Sequence, residues 1–124
     1  MNKSSSLHID LNCDLGEWDA KDPNPDQQLR DRSIMPLVSS VNIACGGHRG
    51  DADSLRITME QAADLDVAIG LHPSFPDRDG FGRRSMELPV EELIAVVQYQ
   101  IAALQGMAKN LGVQVRYVKP HGAL

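Results

Sequence analysis

The chain has 124 residues, 42% of them apolar and 23% charged, a composition typical of a soluble folded domain and not of a disordered or membrane-spanning chain. Its net charge of −5 argues against general binding to nucleic acid or to anionic membranes. Two cysteines do not make a disulfide framework, and the N-terminal residues lack the apolar core of a signal peptide, so we expect a cytoplasmic protein.

Strands and amphipathic helices are predicted to alternate along the chain. In order, we predict a strand over residues 8–13, a helix over 26–35, a strand over 41–45, a helix over 51–63, a strand over 67–72, a helix over 89–111 and a strand over 113–118. Asp26 and Asp51 are the expected N-caps of the first two helices, and Pro36 is expected to end the first. This order predicts a parallel sheet with helical crossovers.

The longest predicted connection, residues 73–88, contains Arg78, Arg83 and Arg84. A loop of this length without secondary structure is uncommon in a compact domain and is usually functional or disordered. The three guanidinium groups could clamp an acidic substrate. The alternative is a solvated basic loop whose charge is offset by neighbouring aspartates.

Polar side chains gather where the predicted strands end. They are Asp14, His48, His72, Lys119 and His121. Because ligands and catalytic groups collect at the carboxyl ends of parallel strands, we expect these side chains to share one site. The repetition is what makes the chain look like an enzyme.

The strands also differ between their two faces. The apolar residues expected to pack on helices are Ile9, Leu11, Ile43, Ile69 and Leu71. The other face is polar or small on all four strands, with Asp10, Asn12, Asp14, Asn42, Ala44, Ala68, Gly70, His72, Tyr117, Lys119 and His121. Burying ionisable groups is costly unless they are paired or bound to a metal, so this face predicts a solvated or ligand-filled cavity.

These residue types suit two kinds of chemistry. Asp14 or His72 could act as a general base while Lys119 stabilises an oxyanion. Alternatively, aspartate and histidine side chains could bind zinc, manganese or iron. Each residue also has a structural alternative: Asp14 could cap a helix, His48 could lie in a glycine-rich turn, and the side chains near residue 120 could belong to a solvated tail. The spacing of Cys45 and His48 would make half a zinc site, but the sequence has no second such pair.

Four segments resemble the motifs of the LamB/YcsF family. They read DLNCDLGE at 10–17, NIACGGHRGD at 42–51, HPSFPDR at 72–78 with FGR at 81–83, and VKPHGAL at 118–124. The resemblance covers nearly the whole chain from about Ile9. The polar residues of the family motifs, matched position by position to this sequence, are Asp10, Asn12, Asp14, His48, Asp51, His72, Arg83, Lys119 and His121.

The resemblance implies a fold and an activity. The fold is a TIM-like β/α barrel of the glycoside hydrolase and sugar deacetylase type. The activity is that of the A subunit of prokaryotic 5-oxoprolinase, which opens 5-oxo-L-proline to L-glutamate with ATP, together with the B and C subunits. Because the sequence has no Walker-type phosphate loop, we expect ATP to be handled mainly by the partner subunits.

Within that activity, we assign roles to the motif residues. The catalytic candidates are Asp14, His72, Lys119 and His121. The substrate-binding candidates are Asn12, His48 and Arg83, with Arg83 holding the substrate carboxylate. A divalent metal, of unspecified identity, would take its ligands from Asp10, Asp14, His48 and His72.

Two other functions fit the same residues. One is a metal-dependent deacetylase-like hydrolase acting on an N-acetyl sugar. The other is a module that binds a small carboxylic acid without turning it over. Activity on 5-oxoproline with ATP and partners would separate these from a lactam hydrolase.

A closed β/α barrel typically needs about 250 residues, roughly twice the length of this chain. We therefore expect residues 1–124 to be the N-terminal half of a single barrel domain, with about four of its strands. A fragment of a longer protein is the favoured interpretation, and completion of the barrel by a second copy in a homodimer is the alternative.

Overall fold

The computed structural model describes residues 6–22 and 24–124. In chain order its elements are β1 (Asn12–Leu15), α1 (Asp26–Ile34), a 3-10 helix (Met35–Leu37), β2 (Ser40–Ala44), α2 (Ala52–Asp64), β3 (Ala68–His72), α3 (Val90–Asn110) and β4 (Val115–Val118). The predicted alternation of strands and helices is confirmed, with bounds that differ by a few residues.

The four strands form one sheet in the order β1-β2-β3-β4, and every neighbouring pair is parallel. Asp14 lies opposite Asn42, Asn42 opposite Gly70, and Gly70 opposite Tyr117, so one row of residues crosses the whole sheet on its polar face. The predicted α/β fold with a parallel sheet is therefore confirmed. Because the strands are parallel, all their carboxyl ends lie along one edge.

The apolar face of the sheet packs against the helices, as predicted for Ile43, Ile69 and Leu71, which are all buried. The prediction is wrong for Ile9 and Leu11, which are 81% and 52% exposed. The reason is that β1 begins at Asn12 and not at residue 8, because pairing with β2 starts where Asn12 meets Ser40. The apolar side chains that β1 contributes to the core side are those that follow Asn12, among them Leu15.

The helix starts were predicted with mixed success. Asp51 caps α2 as predicted: its Oδ1 accepts a hydrogen bond from the Ser54 amide at 2.9 Å, and the Ser54 hydroxyl accepts one from the Asp51 amide. Asp26, in contrast, is the first residue of α1 and not its N-cap. Pro25 occupies the N-cap position, and its side chain has no group that could accept a hydrogen bond.

The longest helix, α3, follows Pro89 and ends before Gly112, close to the predicted limits. Its apolar stripe is buried mainly in the second half, at Leu104 and Ala108, while Val90 and Ile94 in its first half are exposed. None of the helices in the described ranges combines the length and the apolar character that a bilayer crossing would need.

Candidate functional site

Four side chains meet at the carboxyl edge of the sheet, one from the end of each strand. Glu17 follows β1, His48 follows β2, His72 is the last residue of β3, and His121 follows β4. Each offers one nitrogen or oxygen atom, and these four atoms all lie within 4.8 Å of one another. The expectation that the strand ends share one site is thus realised for the three histidines.

The three imidazole rings are packed together away from solvent. The rings of His48 and His121 stack with their centroids 3.6 Å apart, and His72 meets both rings edge-on. The three residues are between 0% and 4% exposed. Gly82 of the loop between β3 and α3 covers them so closely that a Cβ atom there would lie 3.0 Å from each of His48 and His121.

Backbone carbonyl groups orient two of the rings. His72 Nδ1 lies 2.6 Å from the carbonyl oxygen of Lys119, and His121 Nε2 lies 2.8 Å from that of Phe81. Burial lowers the pKa of both histidines, because a charged imidazolium would lose its hydration. Both rings therefore tend to be neutral near pH 7, with the second nitrogen of each available as an acceptor.

Asp14 lies beside the histidines and is held as a carboxylate. Its Oδ1 accepts hydrogen bonds from Asn42 Nδ2 at 2.7 Å and Lys119 Nζ at 3.0 Å, and its Oδ2 lies 3.4 Å from His72 Nε2. Burial alone would raise the pKa of Asp14, but the hydrogen bonds from Asn42 and Lys119 and the nearby positive charge outweigh it and lower that pKa. The pair of Asp14 and Lys119 places opposite charges next to the histidine rings.

Behind Asp14, the polar face of the sheet is a hydrogen-bonded network. Asn42 is wholly buried and donates to Asn12 Oδ1 at 2.6 Å as well as to Asp14. Asn12 Nδ2 donates to the Tyr117 hydroxyl at 2.8 Å, and that hydroxyl lies 3.2 Å from the Val41 carbonyl. These bonds satisfy polar groups that would otherwise be costly to bury, and they fix the direction of the Asp14 carboxylate.

A cavity of about 450 Å³ opens in front of these groups. Its lining residues are Asp14, His72, Arg83, Lys119, Pro120, His121, Gly122 and Ala123. Arg83 is exposed at the rim, with its guanidinium group 5.6 Å from the centre of the Phe81 ring. The cavity therefore offers a hydrogen-bonding carboxylate, neutral imidazole groups and two cationic side chains to a small polar molecule.

The other two arginines of the loop serve the fold. Arg78 donates to the carbonyl groups of Gly46 and Gly50 and pairs with Asp19, and Arg84 pairs with Asp77. Of the three arginines expected to clamp an acidic substrate, Arg83 is the one that lines the cavity.

The structure brings most of the predicted site residues together, but two lie apart. Asp10 is exposed and lies before the amino end of β1. It is not part of the cluster, which lies at the carboxyl ends of the strands. Asn12 belongs to the network of the sheet face and reaches the site through Asn42. Cys45 is also outside the four-residue cluster, and burial raises the pKa of its thiol to about 12.

Glu17 is the site residue that the sequence interpretation missed. It stands in the DLGE segment, where Gly16 with a φ of +74° turns the chain back toward the strand ends. Asp31 of α1 is 1% exposed and secures this turn, since its Oδ2 accepts hydrogen bonds from the Gly16 amide at 2.7 Å and from Trp18 Nε1 at 3.1 Å. The one signal in the sequence was a second carboxylate shortly after Asp14 in the same strand-end segment.

Comparison with known proteins identifies the family to which this arrangement belongs. A family model described as "LamB/YcsF family" matches residues 9–124. The chain belongs to the LamB/YcsF family. The resemblance seen in the four motifs is therefore confirmed.

Several relatives are named as the A subunit of 5-oxoprolinase. The one from Acinetobacter baylyi is 52% identical over 122 residues, covering 95% of this chain and 45% of the relative. The one from Bacillus cereus is 51% identical over 116 residues, covering 94% of this chain and 44% of the relative. This chain of the LamB/YcsF family thus spans about half the length of the curated relatives it matches.

A solved structure has the same fold over the same region. It is the crystal structure of a lactam utilization protein from Thermus thermophilus, with a TM-score of 0.83 and 44% sequence identity, covering 94% of this chain and 46% of that one.

Proposed function

We propose that this chain is part of the A subunit of a 5-oxoprolinase, which hydrolyses the lactam ring of 5-oxo-L-proline to give L-glutamate. The observation that carries the proposal is the convergence of Asp14, Lys119 and buried neutral histidines on one small cavity, in a chain similar to proteins of that name. Carboxylate, imidazole and ammonium groups are the ones that activate water and stabilise an oxyanion during hydrolysis of an amide.

The fold proposed for the whole protein is a TIM-like β/α barrel of the glycoside hydrolase and deacetylase type, of which residues 1–124 are the N-terminal half. Three observations support it: the strands are parallel and lie in chain order, the helices pack on one face, and the polar side chains lie on the other. In such a barrel the polar face would become the interior, and the site would lie at the carboxyl end, as in barrel enzymes generally.

The site suggests how the substrate would lie. Arg83 at the rim would bind the carboxylate of 5-oxoproline, with Asn12 and His48 helping to shape the binding site from behind. The lactam carbonyl would then face Lys119, which stabilises negative charge on its oxygen. Asp14 or the neutral His72 would take a proton from the attacking water, and His121 lies 2.9 Å from His72 to pass a proton on.

ATP would make this stable lactam reactive. Transfer of a phosphoryl group to the lactam oxygen activates the carbon that water attacks. The C–N bond then breaks, the ring nitrogen takes up a proton, and a second water releases phosphate from the glutamyl phosphate formed. We propose that ATP is bound mainly by the B and C subunits, that the substrate is a small molecule, and that the complex needs neither nucleic acid nor membrane.

The test is ATP-dependent glutamate release by the full-length protein assembled with its B and C subunits. We expect Asp14→Asn, His72→Gln and Lys119→Met each to lower turnover by at least about 100-fold, because each removes a proton acceptor or the oxyanion partner. Arg83→Gln should mainly raise KM. The matched controls are His8→Gln and Arg116→Gln, two exposed residues away from the cavity. Near-normal turnover of the Asp14 and His72 variants would contradict the proposal.

The cluster of Glu17 and three histidines favours one second candidate, a metal-dependent hydrolase that acts like a sugar deacetylase. That function would show as acetate release from an N-acetyl sugar by the protein alone, without ATP. A module that only binds a small carboxylic acid would bind 5-oxoproline in calorimetry and release no product under either condition.

A further inference from the structure

Two of the buried histidines point their lone pairs at each other. His72 Nδ1 faces the Lys119 carbonyl, and His121 Nε2 faces the Phe81 carbonyl. A carbonyl oxygen only accepts hydrogen bonds, so both of these nitrogens carry the ring proton. In the neutral rings, His72 Nε2 and His121 Nδ1 are then both acceptors, yet they lie only 2.9 Å apart.

Two hydrogen-bond acceptors at that distance repel each other unless a proton or a cation lies where their lone pairs meet. A shared proton would do so only by making one ring an imidazolium, and removing a charged ring from water is costly at residues that are 1% and 4% exposed. A cation bound by both nitrogens removes the repulsion without that cost. Donation of the other ring nitrogen to a backbone carbonyl is the usual arrangement that orients metal-binding histidines.

The other two residues of the cluster, Glu17 and His48, complete a set of four ligand atoms with His72 and His121. Glu17 Oε1 lies 2.9 Å from His48 Nε2, 3.7 Å from His121 Nδ1 and 4.0 Å from His72 Nε2. Four ligands about 2.0–2.1 Å from a zinc ion lie roughly 3.3 Å from one another in a tetrahedron. The four atoms here all lie within 4.8 Å of one another, so a slight contraction of the cluster around an ion would bring them to that geometry. His48 is wholly buried, and the nitrogen that it turns toward Glu17 and the other two rings is Nε2.

We propose that Glu17, His48, His72 and His121 bind one divalent transition metal ion of the zinc class, with one ligand from the end of each strand. Imidazole-rich sites favour zinc and its neighbours over magnesium or calcium, which prefer oxygen ligands. Compared with the ligand set expected from the sequence, Glu17 and His121 take the places of Asp10 and Asp14. Asp14 is not one of the four: Asn42 and Lys119 bind its Oδ1, and its Oδ2 lies 3.4 Å from His72 Nε2, beside the cluster.

The ion would lie at the inner end of the cavity, beside the groups to which we assign lactam hydrolysis. This inference rests on the proposed function and deepens it by adding a metal to the same site. With the lone pairs of His72 and His121 on the ion, Asp14 is the group that would take the proton from water. Metal binding and glutamate release are measured separately, so that either proposal can fail while the other stands.

The experiment uses the full-length protein, purified without a histidine tag and stripped of metal with a chelator. Zinc is titrated by calorimetry, and cobalt by the visible absorption that reports its coordination geometry. We expect one equivalent of each ion, a tetrahedral cobalt spectrum, and a zinc-dependent rise in the unfolding temperature. His72→Gln, His121→Gln and Glu17→Gln should each weaken zinc binding by more than about 100-fold, since loss of even an outer partner costs about 10–100-fold.

Two controls define the ligand set. His8→Gln removes the one histidine that lies outside the cluster and should leave binding unchanged. Asp14→Asn should weaken binding less than Glu17→Gln does. Circular dichroism of the metal-free variants checks that they fold, and if His72→Gln does not, His121→Gln and Glu17→Gln carry the test. Absence of stoichiometric binding, or equal binding by wild type and the cluster variants, would overturn the proposal.

Discussion

Gly70, a residue without a side chain, makes room for the polar row that crosses the sheet. A Cβ atom at this position would overlap Cε2 of Tyr117, so the tyrosine ring rests directly on the glycine backbone. From there, the Tyr117 hydroxyl accepts the hydrogen bond of Asn12, and Asn12 in turn bonds to Asn42 beside Asp14. Packing at Gly70 is therefore coupled to the orientation of a candidate catalytic carboxylate.

We expect Gly70→Ala to lower the free energy of unfolding by about 1–3 kcal/mol, because the added methyl group must displace the Tyr117 ring. The matched control is Gly106→Ala in α3, where a Cβ atom would have no neighbour within 4 Å. This change should raise stability by up to about 1 kcal/mol, since alanine is the better helix former. Urea unfolding measures both, and equal effects of the two substitutions would contradict the packing of the Tyr117 ring on Gly70.

Among the elements, the loop between β3 and α3 is organised by Asp77. Its carboxylate accepts hydrogen bonds from the Gly80 amide and from Arg84, and its backbone carbonyl accepts one from the Gly82 amide. These bonds bring Gly82 against the Cβ atom of His48 and the ring of His121. The sequence indicated that this long segment is either functional or disordered, but its internal hydrogen bonds could not be predicted from local periodicity.

The pH dependence of stability tests the role of Asp77. The hydrogen bond from Arg84 lowers the pKa of Asp77 from 3.8 to about 2, so the folded protein favours the charged carboxylate. Its contribution to stability is therefore complete above about pH 5 and is lost as the pH falls through 3.8 toward about 2.

We expect Asp77→Asn to be less stable than the wild type at pH 7 and to lose less further stability between pH 5 and pH 3. The control is Asp79→Asn, a change at an exposed aspartate of the same loop. Its stability should depend on pH between 5 and 3 as that of the wild type does. Urea unfolding across this pH range gives the comparison. A profile of Asp77→Asn that runs parallel to that of the wild type would show that Arg84 does not perturb this carboxyl group.

At the scale of the whole molecule, the four-stranded sheet has β1 and β4 at its two edges and a polar face that carries the site. In the proposed barrel, further strands would pair with both edges and would enclose that face. We expect residues 1–124 expressed alone to aggregate, because the exposed edges of a parallel sheet can pair with other chains. A full-length protein of the size of the curated relatives is the control and should remain monodisperse. Size-exclusion chromatography measures both.

The outcome for residues 1–124 distinguishes the alternatives. A soluble dimer with cooperative unfolding would indicate that a second copy completes the barrel. A stable monomer would contradict the proposal that these residues are half of a closed barrel.

The sequence by itself determined the order of strands and helices, the parallel α/β class and the strand ends at which the three buried histidines lie. These features follow from local periodicity and from the rule that parallel strands share one carboxyl edge. The predicted bounds were less accurate for β1, because the start of this strand depends on the pairing of Asn12 with Ser40 in β2. The apolar pattern of the preceding residues contains no information about that pairing.

Only the tertiary structure decided which carboxylate joins the histidines, and it gives the reason why Arg83, the arginine that the motif resemblance had singled out, is the one that lines the cavity. Glu17 reaches the cluster because Gly16 takes a positive φ and Asp31, distant in sequence, holds the turn. Arg83 lines the cavity, whereas Arg84 is bound to Asp77. Such choices depend on contacts between residues far apart in the chain, and neither composition nor spacing records which partner each charged side chain will meet.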